Sequence, residues 1–226
     1  MIVVMWVLII VSLIVFAAVE YARLRWVARG AENAPIRPVR PFSDIRVPQG
    51  LFLDPHHSWA RLTNVGELKV GIDELVTQAI GGVDRIELPP VGERVVAGRP
   101  MATAWKGGRS LTVVAPVTGT VVSHNASLER NARVVGDDPY GSGWIASVWP
   151  EDLGESLGNL RVGAKSVAWL RSETRRFCDF MAAKAAPENI GAVLADGAHP
   201  VIGAAQSLDD EAWSKFETEF ILKDFN

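Results

Sequence analysis

The stretch VGIDELVTQAIGGVDRIELPPVGERVVAG (Val70–Gly98) is the part of this 226-residue chain that decides the fold. Short apolar runs alternate in it with glycine and proline, a pattern typical of β-strands joined by turns. The segment Asp73–Ile80 predicts a short helix, which Asp73 would cap and Gly81-Gly82 would end. The stretch therefore predicts a β domain with one helix inserted between strands.

The same pattern extends on both sides, from Leu51 to about Pro150. A hairpin is predicted over Met101–Val114, with Gly107-Gly108 as a two-residue type I′ turn. The segment Ala115–Gly119 predicts a second tight turn, in which we expect Gly119 at positive φ. The predicted strands are Trp59–Leu62, Leu68–Ile72, Ile86–Leu88, Val95–Val96, Ser110–Val114, Thr120–Val122 and Trp144–Val148.

Four segments resemble the H protein of the glycine cleavage system, which is a lipoyl carrier. They are His57-Ser58-Trp59, Val70–Gly98, APVTGTVV (Ala115–Val122) and DDPYGSGW (Asp137–Trp144). The resemblance runs without a gap from about His57 to Trp149. It implies a mainly β, lipoyl-type flattened barrel (a barrel-sandwich hybrid) with flanking helices. The segment Thr174–Asn226 lies largely outside it.

The resemblance also implies that the lipoyl acceptor is missing. In the gapless alignment the family's lipoyl lysine falls on Gly108, and its glutamate, three residues earlier, falls on Trp105. Glycine has no amine to form an amide with lipoate, so we expect no cofactor. Lys106 is the alternative acceptor, although its place two residues earlier moves the amine about 7 Å along the hairpin. Trp105, Lys106 and Arg109 are the candidate contact residues, because Trp and Arg are enriched in interface hot spots.

The sequence gives little indication of other chemistry. It contains no nucleophile–base pair and no phosphate-binding loop. A single cysteine, Cys178, excludes an internal disulfide and a cysteine-rich metal site. The adjacent His56 and His57 have no third ligand at a suitable spacing, which favours packing over metal binding. The net charge of −3 does not indicate a nucleic-acid partner. We therefore expect neither catalytic residues nor a metal site.

The N-terminus predicts a membrane anchor. The run Ile2–Val19 is apolar except for Ser12 and is long enough to cross a bilayer. It lacks the positively charged start of a cleaved signal peptide, which favours a retained helix. Because the positive-inside tendency applies, the N-terminus is expected outside and the following domain in the cytoplasm. The residues that set this orientation are Arg23, Arg25 and Arg29.

The chain divides into four predicted regions. Residues 1–29 form the transmembrane anchor with a juxtamembrane helix, and residues 30–50 form a linker rich in proline and arginine that favours an extended spacer. Residues 51–160 form the H-protein-like domain. Residues 161–226 form a helical C-terminal extension.

Two helices are predicted in the extension. The first covers Ala164–Ala185 and ends before Pro187, and the second opens at Ser207, where Asp210 completes an approximate capping box. The second helix has one apolar face, which we expect to pack back on the domain. That face consists of Trp213, Phe216, Phe220 and Ile221.

Three functions from different classes are consistent with these features. The preferred one is a non-catalytic, membrane-anchored accessory or assembly subunit, whose H-protein-like domain contacts protein subunits of a cytoplasm-facing membrane complex. The second is a carrier lipoylated at Lys106 and tethered near a membrane redox enzyme. The third is a periplasmic adaptor of the membrane-fusion kind, which also combines an anchor with a lipoyl-like domain. Such adaptors usually insert a coiled coil at the hairpin tip, for which Lys106–Arg109 leaves no room.

Overall fold

The computed structural model describes Phe42 and residues 47–184, 194–195 and 199–223. All of these residues belong to one compact unit, residues 39–226. The predicted anchor Ile2–Val19, most of the linker and the predicted helix end before Pro187 lie outside the described residues. Within the described part of the chain, no helix is long and apolar enough to cross a membrane.

Antiparallel strands dominate the described residues, which confirms the mainly β prediction. One sheet has seven strands in the order β10-β1-β2-β3-β9-β8-β5, a second has the order β4-β6-β7, and β11 pairs with β12. Each predicted strand has a counterpart within two residues of its predicted bounds. The strands are β1 (Phe52–Leu53), β2 (Ser58–Leu62), β3 (Leu68–Ile72), β4 (Arg85–Glu87), β5 (Arg94–Val95), β6 (Pro100–Lys106), β7 (Arg109–Val114), β8 (Gly119–His124), β9 (Ala146–Pro150), β10 (Arg161–Val162), β11 (Leu194–Ala195) and β12 (His199–Pro200).

The helices lie between the strands and in the C-terminal extension. A 3₁₀ helix over Ala204–Ser207 precedes the last α-helix, and a π-helix over Glu217–Ile221 continues it. The α-helices are α1 (Glu74–Ile80), α2 (Ser127–Arg130), α3 (Val134–Asp137), α4 (Leu153–Gly158), α5 (Ala164–Lys184) and α6 (Asp210–Phe216).

The caps of α1 are those that the sequence predicts. The Asp73 carboxylate accepts a hydrogen bond from the Val76 amide at 3.1 Å, and Gly81 ends the helix in the left-handed conformation with φ 77°. The predicted cap of the last helix is wrong by two residues. Asp209 is the N-cap of α6, accepting from the Ala212 amide at 2.8 Å, whereas the Ser207 hydroxyl donates to the Ala204 carbonyl inside the 3₁₀ helix. The 3₁₀ helix places Ser207 before the start of α6, so its hydroxyl is used locally.

The prediction that Gly119 adopts a positive φ is also wrong. Gly119 is not among the described glycines with positive φ. A Cβ at this position would instead lie 2.2 Å from the Trp149 carbonyl oxygen and 2.7 Å from Val148 Cγ1. Glycine is needed here because β8 and β9 approach closely, and not because the backbone is left-handed.

The C-terminal extension packs back on the domain, as expected. Trp213, Phe216, Phe220 and Ile221 are all buried. The ring of Phe177 on α5 lies 5.7 Å from that of Phe216 and 5.8 Å from that of Phe220, both edge-on. This geometry is the favoured one for aromatic pairs. We call these three rings, with Phe42 and Phe180, the aromatic cluster; it joins α5 to the last helix.

A buried charged network joins the same elements to the β domain. His57 Nδ1 lies 2.7 Å from Asp73 Oδ2, and His57 Nε2 lies 3.4 Å from Glu173 Oε2 on α5. The Lys223 ammonium lies 2.9 Å from that same Glu173 oxygen. Burial opposes protonation of the imidazole, but Asp73 and Glu173 outweigh it and raise the pKa of His57. Burial likewise opposes ionisation of Glu173, yet His57 and Lys223 lower its pKa to about 2.

The close approach at Gly119 predicts that even a methyl group is not tolerated there. We expect Gly119→Ala to lower the free energy of unfolding by about 3 kcal/mol, because the contact is with a backbone oxygen that cannot move aside. Urea unfolding measures this. Gly158→Ala is the matched control, since a Cβ on Gly158 meets no atom within 4 Å. Equal stability of the two variants would contradict the close approach.

The raised pKa of His57 predicts a pH-dependent stability. The contribution of the protonated ring is fully present below about pH 6.5, the unfolded pKa, and is lost as the pH rises through the folded pKa. His57→Asn removes the titrating group, and Asn tolerates the positive φ (62°) of this position. The difference in unfolding free energy between wild type and variant should therefore shrink as the pH rises above about 6.5 and through the folded pKa. His56 titrates in both proteins, so its contribution cancels in this difference. Parallel curves of unfolding free energy against pH would therefore contradict the prediction.

Candidate functional site

The tip of the β6–β7 hairpin is a tight two-glycine turn. Gly107 and Gly108 have φ angles of 57° and 85°, and Lys106 pairs with Arg109 across the turn. Positive φ at both central residues is the requirement of a type I′ turn, so the predicted turn is confirmed. The surroundings of the two glycines differ. A Cβ on Gly108 would point into open space, whereas one on Gly107 would lie 2.7 Å from Gln206 Oε1.

Lys106 is held against a neighbouring carboxylate. Its Nζ lies 2.8 Å from Asp84 Oδ1, while the Gly107 amide donates to Asp84 Oδ2 at 3.1 Å. The hydrogen bond from Lys106, followed by that from Gly107, lowers the pKa of Asp84. One carboxylate therefore ties the lysine and the turn backbone to the start of β4.

Trp105 lies on the opposite face of the hairpin from Lys106 and Arg109, since adjacent strand residues point to opposite faces. It pairs with Arg85 across β4 and β6, and the Arg85 guanidinium carbon lies 3.5 Å from the centroid of its ring. This is a close cation–π contact. The structure thus brings Lys106 and Arg109 together and separates them from Trp105.

Arg109 contacts the C-terminal extension. Its Nη2 lies 3.1 Å from Asp210 Oδ1, and its guanidinium carbon lies 5.2 Å from the centroid of the Trp213 ring. Its Nη1 is buried and has no hydrogen-bond partner among the described residues. Arg109 is therefore engaged within the chain.

The same extension covers the outer edge of β7. This strand is at the edge of its sheet, where unpaired backbone groups would otherwise be open to another chain. The Trp213 indole donates to the Ser110 carbonyl at 3.2 Å. Glu217 Oε1 accepts from the Thr112 amide at 2.8 Å and from its hydroxyl at 2.7 Å. Side chains of the last helix thus replace the missing neighbouring strand.

The sequence did not identify the partners of the hairpin. It predicted that the last helix has an apolar face that packs back, but not where this face lands. No local pattern relates the C-terminal residues to a hairpin about a hundred positions earlier. The sequence did not indicate that six residues contact the hairpin. They are Asp84, Arg85, Gln206, Asp210, Trp213 and Glu217.

The covered edge predicts a specific role for Glu217. Glu217→Ala removes the acceptor of the Thr112 amide, so the unfolding free energy should fall by about 1–2 kcal/mol and this amide should exchange faster with deuterium. Hydrogen exchange with mass spectrometry measures the second effect. Glu219→Ala is the control, because Glu219 is exposed and contributes only its backbone carbonyl to Arg176. Unchanged exchange in Glu217→Ala would show that the edge is protected by other means.

Comparisons with known proteins identify the family to which the β domain is similar. A family model described as glycine cleavage H-protein matches residues 51–173. The chain is similar to a probable glycine cleavage system H protein of Pyrococcus abyssi, with 32% identity over 129 residues that span 57% of this chain and 96% of the relative. It is also similar to a glycine cleavage system H protein of Shewanella loihica, with 38% identity over 114 residues, or 50% and 88% of the two chains.

A solved structure is also similar to this chain. The crystal structure of a glycine cleavage system H protein from Mycobacterium marinum matches 56% of this chain and 99% of its own, with 27% identity and a TM-score of 0.49. The family match covers more than half of the chain and ends at Glu173, inside α5. From its sequence the protein therefore belongs to the glycine cleavage H-protein family.

Proposed function

We propose that this protein is a non-catalytic, membrane-anchored accessory or assembly subunit. Its H-protein-like domain would carry no lipoyl group and would contact protein subunits of a membrane complex on the cytoplasmic side. The observation that carries the proposal is the hairpin tip, where two glycines stand and neither has a side chain that could accept an acyl group.

The surroundings of the tip support a contact role over a carrier role. A lipoyl carrier needs an exposed lysine whose long arm swings between partner sites. Here Gln206 approaches Gly107, and the edge of β7 is hydrogen-bonded to the last helix. A hairpin that is fixed on one side is suited to presenting a rigid surface, because preorganised groups lose little entropy on binding.

The second candidate function, a carrier modified at Lys106, is disfavoured by the position of that lysine. The Lys106 side chain is 27% exposed and its ammonium is bonded to Asp84. Acylation would remove the positive charge and break this ion pair.

The membrane part of the proposal rests on the sequence. The apolar run Ile2–Val19 has the length of a transmembrane helix, and the cations that follow it favour a cytoplasmic domain. The periplasmic adaptor, the third candidate, would need a coiled-coil insertion at the tip. The two-residue turn between Lys106 and Arg109 leaves no room for one.

The contact surface that fits the proposal best is the Trp105 face of the hairpin. Arg109 and Lys106 are already engaged in ion pairs with Asp210 and Asp84. This leaves Trp105 as the candidate contact residue of the predicted cluster. Its ring is partly exposed and stacked on the exposed Arg85. A partly exposed tryptophan backed by arginine is the composition typical of interface hot spots.

The absence of an acceptor predicts an unmodified protein. Purified from a host that attaches lipoate, the chain should have the intact mass of its sequence alone. The mass spectrum of Lys106→Arg, expressed in parallel, should show the same absence of an adduct. A lipoyl-sized increment in wild type that disappears in Lys106→Arg would establish the carrier function instead.

The contact role predicts a loss of partner binding when the exposed tryptophan is removed. After extraction in mild detergent from its native host, Trp105→Ala should co-elute with less of its partner subunits, by about tenfold or more if Trp105 is a hot spot. Quantitative mass spectrometry of the eluate measures this. Trp149→Ala is the matched control, since Trp149 is 54% exposed on β9. Equal recovery of partners with both variants would place the contact surface elsewhere.

A further inference from the structure

The exposed side of α5 carries a set of cations that the fold does not use. Lys165, Arg171 and Arg175 are all exposed, and none has an ion-pair partner among the described residues. Arg171 and Arg175 are four residues apart and therefore neighbours on one face. Ser172 lies seven residues after Lys165 and three before Arg175, which places the lysine on the same side of the helix.

The neighbouring Arg176, unlike these three cations, is engaged in contacts within the fold. Its Nη2 lies 2.7 Å from Glu173 Oε2 and 3.0 Å from the Glu219 carbonyl oxygen, and its guanidinium carbon lies 4.2 Å from the centroid of the Phe220 ring. Arg176 thus serves the packing of the last helix. The cations on the outer side face one carboxylate of their own helix, Asp179, so this face keeps a net positive charge.

The chain that leads from the predicted anchor enters the domain beside this helix. The Phe42 ring is buried, and its centroid lies 5.5 Å from that of Phe177 on α5. The Phe42 amide donates to the Pro200 carbonyl at 3.0 Å. Phe42 therefore fixes the point at which the linker joins the domain.

We propose that the exposed face of α5 rests on an anionic membrane surface. This inference depends on the anchor of the proposed function. Only residues 30–41 separate the predicted anchor and juxtamembrane helix, residues 1–29, from Phe42, a span of at most about 45 Å when fully extended. A tether of this length keeps the domain within reach of the bilayer, and Phe42, where the tether ends, packs on α5.

The chemistry of the face fits lipid phosphates. Guanidinium groups bind phosphate oxygens through two parallel N–H donors. Small exposed residues lie between and beside the cations, which lets the helix approach the headgroups closely; they are Ala164, Ala168, Ser172, Ala182 and Ala183. An acidic protein could match the charge as well, but the tether favours the membrane because it keeps the domain that carries this face within reach of the lipid.

The experiment uses the full chain in lipid nanodiscs and one fluorescent label. Ser172→Cys in a Cys178→Ala background places the label on the exposed face, since Cys178 is the single cysteine of the chain. Lipids with a spin label in the headgroup quench a dye that lies on the surface. Nanodiscs with phosphatidylglycerol should quench the dye at least about twofold more than neutral ones, and high salt should abolish the difference.

The control label is Thr120→Cys in the same background. Thr120 is exposed on β8, which lies five strands from β10 in the large sheet, or about 24 Å along the sheet. Because β10 leads directly into α5, a dye on Thr120 should be quenched little in either lipid. Equal quenching of the two labels in anionic nanodiscs would overturn the proposal.

Charge reversal identifies the groups involved. Arg171→Glu with Arg175→Glu should remove the extra quenching in anionic nanodiscs, whereas Arg130→Glu with Arg133→Glu, an equal change on exposed residues near α2, should preserve it. Extra quenching that persists in the first variant would overturn the assignment. The proposal would also be overturned if wild type showed no extra quenching and a soluble acidic protein bound this face.

The result also separates this inference from the proposed function. Co-migration of the chain with nanodiscs in size-exclusion chromatography tests the anchor. A chain that stays with the nanodiscs but has an unquenched Ser172→Cys label overturns only the orientation of α5. A chain that does not stay with them overturns both.

Discussion

The outer edge of β7 is the constraint on which the arrangement of this protein depends. An edge strand has outward amides and carbonyls that need partners. Here the Ser110 carbonyl is paired with the Trp213 indole, and the Thr112 amide with the Glu217 carboxylate. Because both partners come from the last helix, the C-terminal extension completes the hairpin sheet and is not an independent appendage.

Aromatic packing supplies most of the stability of this arrangement. Burying a large apolar side chain contributes about 1.5–3 kcal/mol, while an exposed ion pair such as Arg109 with Asp210 contributes at most about 1 kcal/mol. Phe216 and Phe220 are almost fully buried against Phe177. The aromatic cluster therefore holds the last helix in place, and the polar contacts to β7 determine its exact alignment.

The buried network around His57 extends this connection to the β domain. His57 and Asp73 belong to the segment that resembles H proteins, whereas Glu173 stands at the end of the family match and Lys223 lies beyond it. Unpaired charges at this depth would be costly, so the partners must stay together in the folded state. The network thus couples the family domain to Lys223, which lies outside the family match.

These contacts bear on the choice between a carrier and a contact module. A carrier arm functions through its mobility, and its attachment point must be free. In this chain the turn has no side chain, the nearest lysine is bonded to Asp84, and one flank is covered. A fixed hairpin with Trp105 and Arg85 on its remaining face is consistent with the proposed accessory role.

The sequence alone determined those features whose causes are local. The caps of α1 depend on side chains within a few residues, and the Gly107-Gly108 turn depends on two residues that tolerate positive φ. The strand positions followed from alternating apolar runs bounded by turn residues. The family resemblance followed from segments such as Val70–Gly98, which the family match includes.

Only the tertiary structure decided the features that arise between distant segments. Gly119 is required because β9 approaches it, which no turn rule contains. The bond between Lys106 and Asp84 and the docking of Glu217 on Thr112 join residues 22 and 105 positions apart. An amphipathic helix predicts that an apolar face will be buried, but hydrophobic attraction has no direction. The site of burial was decided by the shape of the domain and by the unpaired groups of β7.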